Sequence, residues 1–213
     1  MKRLMPIFIV ILLSGCGILT AYAPNMLSMI VVAVMGVVVL LGIIYGLIPV
    51  LTFTQGLLTG QKSIQRASEA EEKSVWITAL QMDRFFRQKK MDQLFREYRD
   101  KVKQQRQNGQ IVSDLEDILN EDVLALYSWQ GVVAQIPGTL TGLGILGTFI
   151  GLLRGLRNIN FVTVEAALSS VQSILTGIDT AFYTSIAGVI LSILFNISNN
   201  ILRNTMDREM GIF

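Results

Sequence analysis

The chain has 213 residues, of which 51% are hydrophobic and only 16% charged, with a net charge of +2 and a mean hydropathy of +0.51. That composition lies outside the soluble-domain range, and so small a charge excess gives no electrostatic footprint for nucleic acid. With no histidine and a single cysteine, imidazole catalysis and His- or Cys-ligated metal clusters within one chain are excluded.

The first apolar run, Leu4–Tyr22, follows Lys2 and Arg3 and is close to the roughly 20 residues that cross a bilayer core. Leu13-Ser14-Gly15-Cys16 inside it resembles a bacterial lipoprotein signal, and cleavage before Cys16 would leave three crossings and a lipidated cysteine outside. Against that reading, the run continues beyond Cys16, longer than a signal core needs. Unprocessed, Cys16 is a small buried apolar residue. A second run, Leu27–Phe53, follows the uncharged loop Ala23–Met26.

Most of the charged residues lie between Gln61 and Asp122. Helical spacing links Val75, Ala79, Met82 and Phe86, and again Met91, Leu94, Phe95, Tyr98 and Val102, with Arg87, Lys90, Glu97 and Lys101 on the other face. Asn108-Gly109 breaks the pattern, and Ser113-x-x-Glu116 reads as a capping box opening a further helix toward Trp129. The near balance of acids and bases makes this a solvated helical face rather than a lipid or calmodulin patch. Third and fourth apolar runs follow at Val132–Leu153 and roughly Ile174–Leu202.

The positive residues of the insert place it and both termini in the cytoplasm, although Arg154 and Arg157 then fall at the outer end of the third run. The expected fold is therefore all-α, a polytopic membrane protein with four transmembrane helices. Residues 1–57 form an N-terminal hairpin, 58–130 a helical cytoplasmic insert, 131–203 a second hairpin, and 204–213 the start of a cytoplasmic tail.

The second hairpin carries more than an anchor needs. Gly147, Gly151 and Gly155 fall four apart, and Gly138 and Gly142 repeat the spacing, a ridge that lets another helix backbone approach closely. Thr148 adjoins it. In the fourth run Thr176, Thr180, Thr184 and Ala187/Gly188 form a second small stripe, with Ser185 beside it. Two readings compete for these hydroxyls. Each can bond back to its own helix carbonyl, or together they can line a hydrated seam that passes an ion without burying a charge. Asp179 divides similarly: it gathers cations at a pore mouth, or it pairs with Arg154 or Arg157. Nothing else carries enzyme chemistry. There is no GxxxxGK[ST] loop, Gly142-x-Gly144 is too short for a nucleotide fingerprint, and the acids from Asp114 to Asp122 lack calcium-loop spacing. No enzyme activity and no cofactor are expected.

Gly147-Thr148-Phe149-Ile150-Gly151 resembles the GTxxG core of the MotA/TolQ/ExbB proton-channel family, and Ala181 to Gly188 resembles the AxxTxxxG segment of its next helix. The resemblance is strong over Gln130–Asn199 and architectural elsewhere. Within the family, IPGTLTGLGILGTFIGL and DTAFYTSIAG are most similar to a branch whose members are motor subunits of an anti-phage defence system. That resemblance implies a pentamer in the bacterial inner membrane around two copies of a single-pass partner, which carries an ion-binding Asp and a peptidoglycan-binding domain. It further implies that Thr148 and Thr184 line the path of a proton or sodium ion, with Thr180, Ser185 and Asp179 nearby. One departure stands out: relatives have a proline about seven residues before the first motif threonine, where this chain has Thr141, and the kink is expected one turn earlier at Pro137. The expected function is a ring-forming subunit of an ion-driven rotary motor. The alternatives are an energiser of an outer-membrane process built on the same core, and a membrane scaffold or small transporter whose polar helices merely pack.

Overall fold

The structure is a computed structural model that describes residues 5–69, 89–108, 129–157, 159–160 and 162–210. Among these residues every regular element is helical. Helix α1 is Met5–Ala21, and α2 is Met26–Gly42. A π-helical turn, Ile43–Leu47, continues α2 into α3, Ile48–Glu69. Helix α4 is Lys89–Gln107, α5 the single turn Gln130–Val133, α6 Ile136–Leu156 and α7 Val164–Met210. The second helical stripe of the insert falls on α4. The first stripe and the capping box lie outside the described residues.

Three stretches are long and apolar enough to cross a membrane: Met26–Gly56, Gln130–Leu156 and Val164–Met206. The chain is a membrane protein on that ground. These stretches contain the second, third and fourth expected runs, and α7 starts ten residues before Ile174, where the last run was read to begin. The first run is apolar but shorter. Helix α1 has 17 residues and runs unbroken through the half-buried Cys16.

Two details of chain chemistry shape these helices. Pro49 has no N–H to give the Tyr45 carbonyl one turn earlier, and its ring crowds that turn. The backbone opens into the wider π turn just before it, a standard way for a helix to absorb such a mismatch. Pro137, by contrast, sits in the first turn of α6, where its missing N–H has no partner to lose. It starts the helix rather than kinking it, so the kink expected there is absent.

The described chain divides into two compact units. One combines residues Met1–Gly46 with Gly131–Asn200, and holds α1, α2, α5, α6 and most of α7. Its core includes Leu12 of α1, Val32, Met35 and Val39 of α2, Leu140 of α6, and Leu191 and Phe195 of α7, all fully buried. A Cβ placed on Gly42 would stand 2.5 Å from the Ile136 side chain and 2.6 Å from the Phe195 ring, so the end of α2 seats directly on α6 and α7. The other unit combines Leu47–Gln130 with Ile201–Phe213. Within it α4 buries Leu94, Phe95, Tyr98 and Val102, the stripe read from the sequence, with the Phe95 and Tyr98 rings 6.1 Å apart.

Candidate functional site

Helices α6 and α7 run antiparallel and meet through small residues. Gly144 faces Thr184, Ser185 and Gly188, Gly147 faces Thr184, Gly151 faces Gly177, Thr180 and Ala181, and Gly155 faces Ser173, Ile174 and Gly177. The separation is set by missing side chains. A Cβ on Gly147 would lie 2.5 Å from Thr184 Oγ1, and one on Gly188 would lie 2.7 Å from the Leu140 carbonyl oxygen. In lipid, where burial of hydrocarbon gives no preference for helix over tail, such close backbone approach is what holds helices together.

The glycine ridge does not follow every step read from the sequence. Gly138 and Gly142 are exposed, and a Cβ on either would meet nothing within 4 Å in this chain. Gly142 lies five residues before Gly147, about 140° around the helix from it, and Gly138 nine before, about 180° around, so both are turned away from the contact line. After Gly147 the interface takes one three-residue step to Gly144, then continues through Leu140 and Ile136. Gly144 and Gly177 therefore belong to the interface without having stood out in the sequence. Their signal is a spacing of three from Gly147 and Thr180.

Thr184 is fully buried beneath Gly147. Its hydroxyl donates to the carbonyls of Thr180 at 2.9 Å and Ala181 at 3.2 Å. Thr148, half-buried one position from Gly147, donates to the Gly144 carbonyl at 2.9 Å. Both hydroxyl protons are thus held by their own helix, which leaves the oxygen lone pairs as the groups each residue can still offer. Ser185 is half-buried beside Gly144, and Thr176 is exposed, donating to the Gln172 carbonyl.

Thr180 is buried and doubly engaged. It donates to the Thr176 carbonyl at 2.8 Å and accepts from Asn25 Nδ2 at 2.6 Å. Asn25 also caps α2, its Oδ1 accepting from the Ser28 backbone N–H at 3.0 Å and the Ser28 hydroxyl at 2.9 Å. Close by, the Tyr183 hydroxyl donates to the Leu19 carbonyl of α1. These two bonds fasten the α1–α2 turn to α7. A cavity of about 480 Å³ opens beside them, lined by Asn25, Arg154, Ser169, Gln172, Ser173 and Thr176 among others. Neither the cap that Asn25 supplies nor its bond to Thr180 was read from the sequence.

Asp179 is exposed on α7, and among the described residues no ion pair joins it to Arg154 on α6 or to Arg157 just after it, both exposed. The structure brings Gly147 against Thr184 and Gly151 against Thr180 and Ala181, and leaves Thr148, next to Gly147, bonded to its own helix. It leaves Asp179 outside those contacts.

Comparison with known proteins gives the lineage. A stretch of 60 residues is 47% identical to the Zorya protein ZorA of the Escherichia coli Crooks strain, covering 28% of this chain and 10% of that protein. The ZorA of the Escherichia coli ETEC strain is 43% identical over 60 residues, covering 28% of this chain and 8% of that protein. The match thus spans a tenth or less of the length of these curated relatives. A family model described as the anti-phage protein ZorA of the Zorya type I system matches residues 12–204, nearly the whole sequence. The chain belongs to this ZorA-like family, whose membrane helices are of the MotA/ExbB kind.

Proposed function

We propose that the chain is the ring-forming membrane subunit of an ion-driven rotary motor that serves anti-phage defence, and that it moves an ion rather than catalysing a chemical reaction. The observation that carries this reading is the Gly147–Thr184 contact with Thr148 beside it. Close-packed antiparallel helices bury the Thr184 hydroxyl against Gly147, Thr148 follows Gly147 on α6, and the proton of each hydroxyl is engaged by its own helix. Oxygen lone pairs so held can coordinate a proton carrier or a sodium ion without a permanent buried charge. Family membership supports the defence role.

In this reading α1 is the fourth crossing, and α4 belongs to the cytoplasmic insert. The termini face the cytoplasm from the inner membrane. Five copies surround a pair of single-pass partner helices, which supply an ion-carrying acid and a peptidoglycan anchor outside. The two units of the chain suit this division of labour, one built of apolar helices and one bearing the charged α4. The test is a reconstituted assembly of this chain with its partner in liposomes. Ion flux that requires both proteins and disappears with Thr184→Ala supports the motor. Flux from neither, with a monomeric chain, overturns it.

A further inference from the structure

Helix α7 exposes one long unpartnered face. Gly177 is turned toward α6, and Asp179, two residues on, lies about 200° around the helix from it. The same face carries the exposed side chains of Leu175, Phe182, Ile186, Ile190, Ile193 and Ile197. From Leu175 to Ile197, Asp179 is the charged residue among these exposed apolar side chains, and the face turns polar beyond them at Glu165, Gln172 and Asn204. A carboxylate set on a hydrocarbon face of a membrane helix is costly unless another group meets it.

The complementary charge lies on the other side of the hairpin. Gly151 packs against Gly177, Thr180 and Ala181, so Asp179 is level with Gly151. Arg154 is three residues farther along α6, a rise of about 4.5 Å, and helix side chains lean back toward the N-terminus, here toward the Gly151 level. Arg154 is exposed and borders the cavity beside Asn25, whose lining does not include Asp179. Within one chain the two do not pair. Between two copies related head to tail they share a level, and complementary patches on different faces are what close a ring instead of a two-fold dimer.

We propose that the apolar face of α7 docks onto a second copy of this chain, and that Asp179 of one copy pairs there with Arg154 of the next. The proposal rests on the ring reading above and adds the contact that orients neighbouring subunits.

The test uses the full chain with its partner in native membranes. In a Cys16→Ser background, Asp179→Cys combined with Arg154→Cys and a mild copper–phenanthroline oxidant should give a ladder of cross-linked multimers, while either single cysteine gives none. Asp179→Arg or Arg154→Asp alone should lower the ring fraction seen by native mass spectrometry about tenfold or more. The double exchange Asp179→Arg with Arg154→Asp should restore it, which also shows that the singles fail by charge and not by misfolding. An intact ring with no ladder and no restoration overturns the pairing while leaving the ring reading in place. A monomeric unmutated chain overturns both.

Discussion

Asn25 Nδ2 donates to the Thr180 hydroxyl at 2.6 Å across 155 residues of sequence, joining the α1–α2 turn to the helix that carries the second threonine stripe. The same side chain caps α2 through its other end, so the two roles separate by substitution. Asn25→Ser keeps a good capping oxygen but loses the amide donor, at about 0.6 kcal/mol for an average interhelical hydrogen bond in a membrane. Asn25→Ala loses both, adding about 1 kcal/mol for the cap. Thermal unfolding of the detergent-solubilised protein should rank native above Ser above Ala. Thr180→Val should add little to Asn25→Ser, because the bond is already gone. Full additivity of the two would show that they do not interact.

The glycines of the interface should differ in whether they can be rescued. Gly147→Ala collides with the Thr184 side chain, while Gly151→Ala collides with backbone, at Ala181 N and the Gly177 carbonyl oxygen, both 2.9 Å away. Each should destabilise the hairpin by roughly 1–3 kcal/mol, the usual cost of overpacking. Thr184→Ala should recover part of the stability lost in Gly147→Ala and none of that lost in Gly151→Ala. Gly138→Ala and Gly142→Ala, open on their own face, should leave the unfolding of the single chain unchanged. Equal rescue at both interface sites would refute this geometry.

Thr148→Ala and Thr184→Ala should abolish ion flux and protection in a phage-plating assay while expression and assembly persist. Each hydroxyl bonds a carbonyl of its own helix, a bond that contributes little to helix stability. Removing it takes away chiefly an oxygen that an ion could use. Thr180→Ala and Ser185→Ala should be milder, Thr180 being engaged with Asn25. Full activity in both threonine variants would reduce the seam to packing.

Tyr183→Phe isolates the second fastening. It deletes the donor to the Leu19 carbonyl and keeps the ring, so the loss should be about 0.5–1.5 kcal/mol, read as a lower melting temperature. Protease accessibility of the α1–α2 turn should rise in parallel. An unchanged melting temperature and digestion pattern would show that the bond contributes nothing to holding α1.

The sequence alone determined the helical class and, of four expected crossings, three stretches long and apolar enough to cross a membrane, because hydrocarbon length and helical periodicity are local properties that no tertiary contact needs to supply. It determined as well the α4 stripe from Leu94 to Val102 and the pairing of small residues between α6 and α7, since Gly147, Gly151 and the threonines recur at helical spacing. The tertiary structure decided which small residues share the interface. Gly144 and Gly177 belong to it, each three residues from Gly147 or Thr180, while Gly138 and Gly142 are turned about 140–180° from Gly147, and only the partner's position selects which line of small residues is used. It also decided how Asn25 and Tyr183 are used. A capping residue and a lone tyrosine acquire long-range partners only when the helices are laid side by side, and no spacing in the chain encodes which carbonyl or hydroxyl will be opposite them. Pro137 makes the same point from the other direction: whether a proline kinks a helix or begins it depends on where the helix starts, and here the first turn of α6 removes the conflict before it arises.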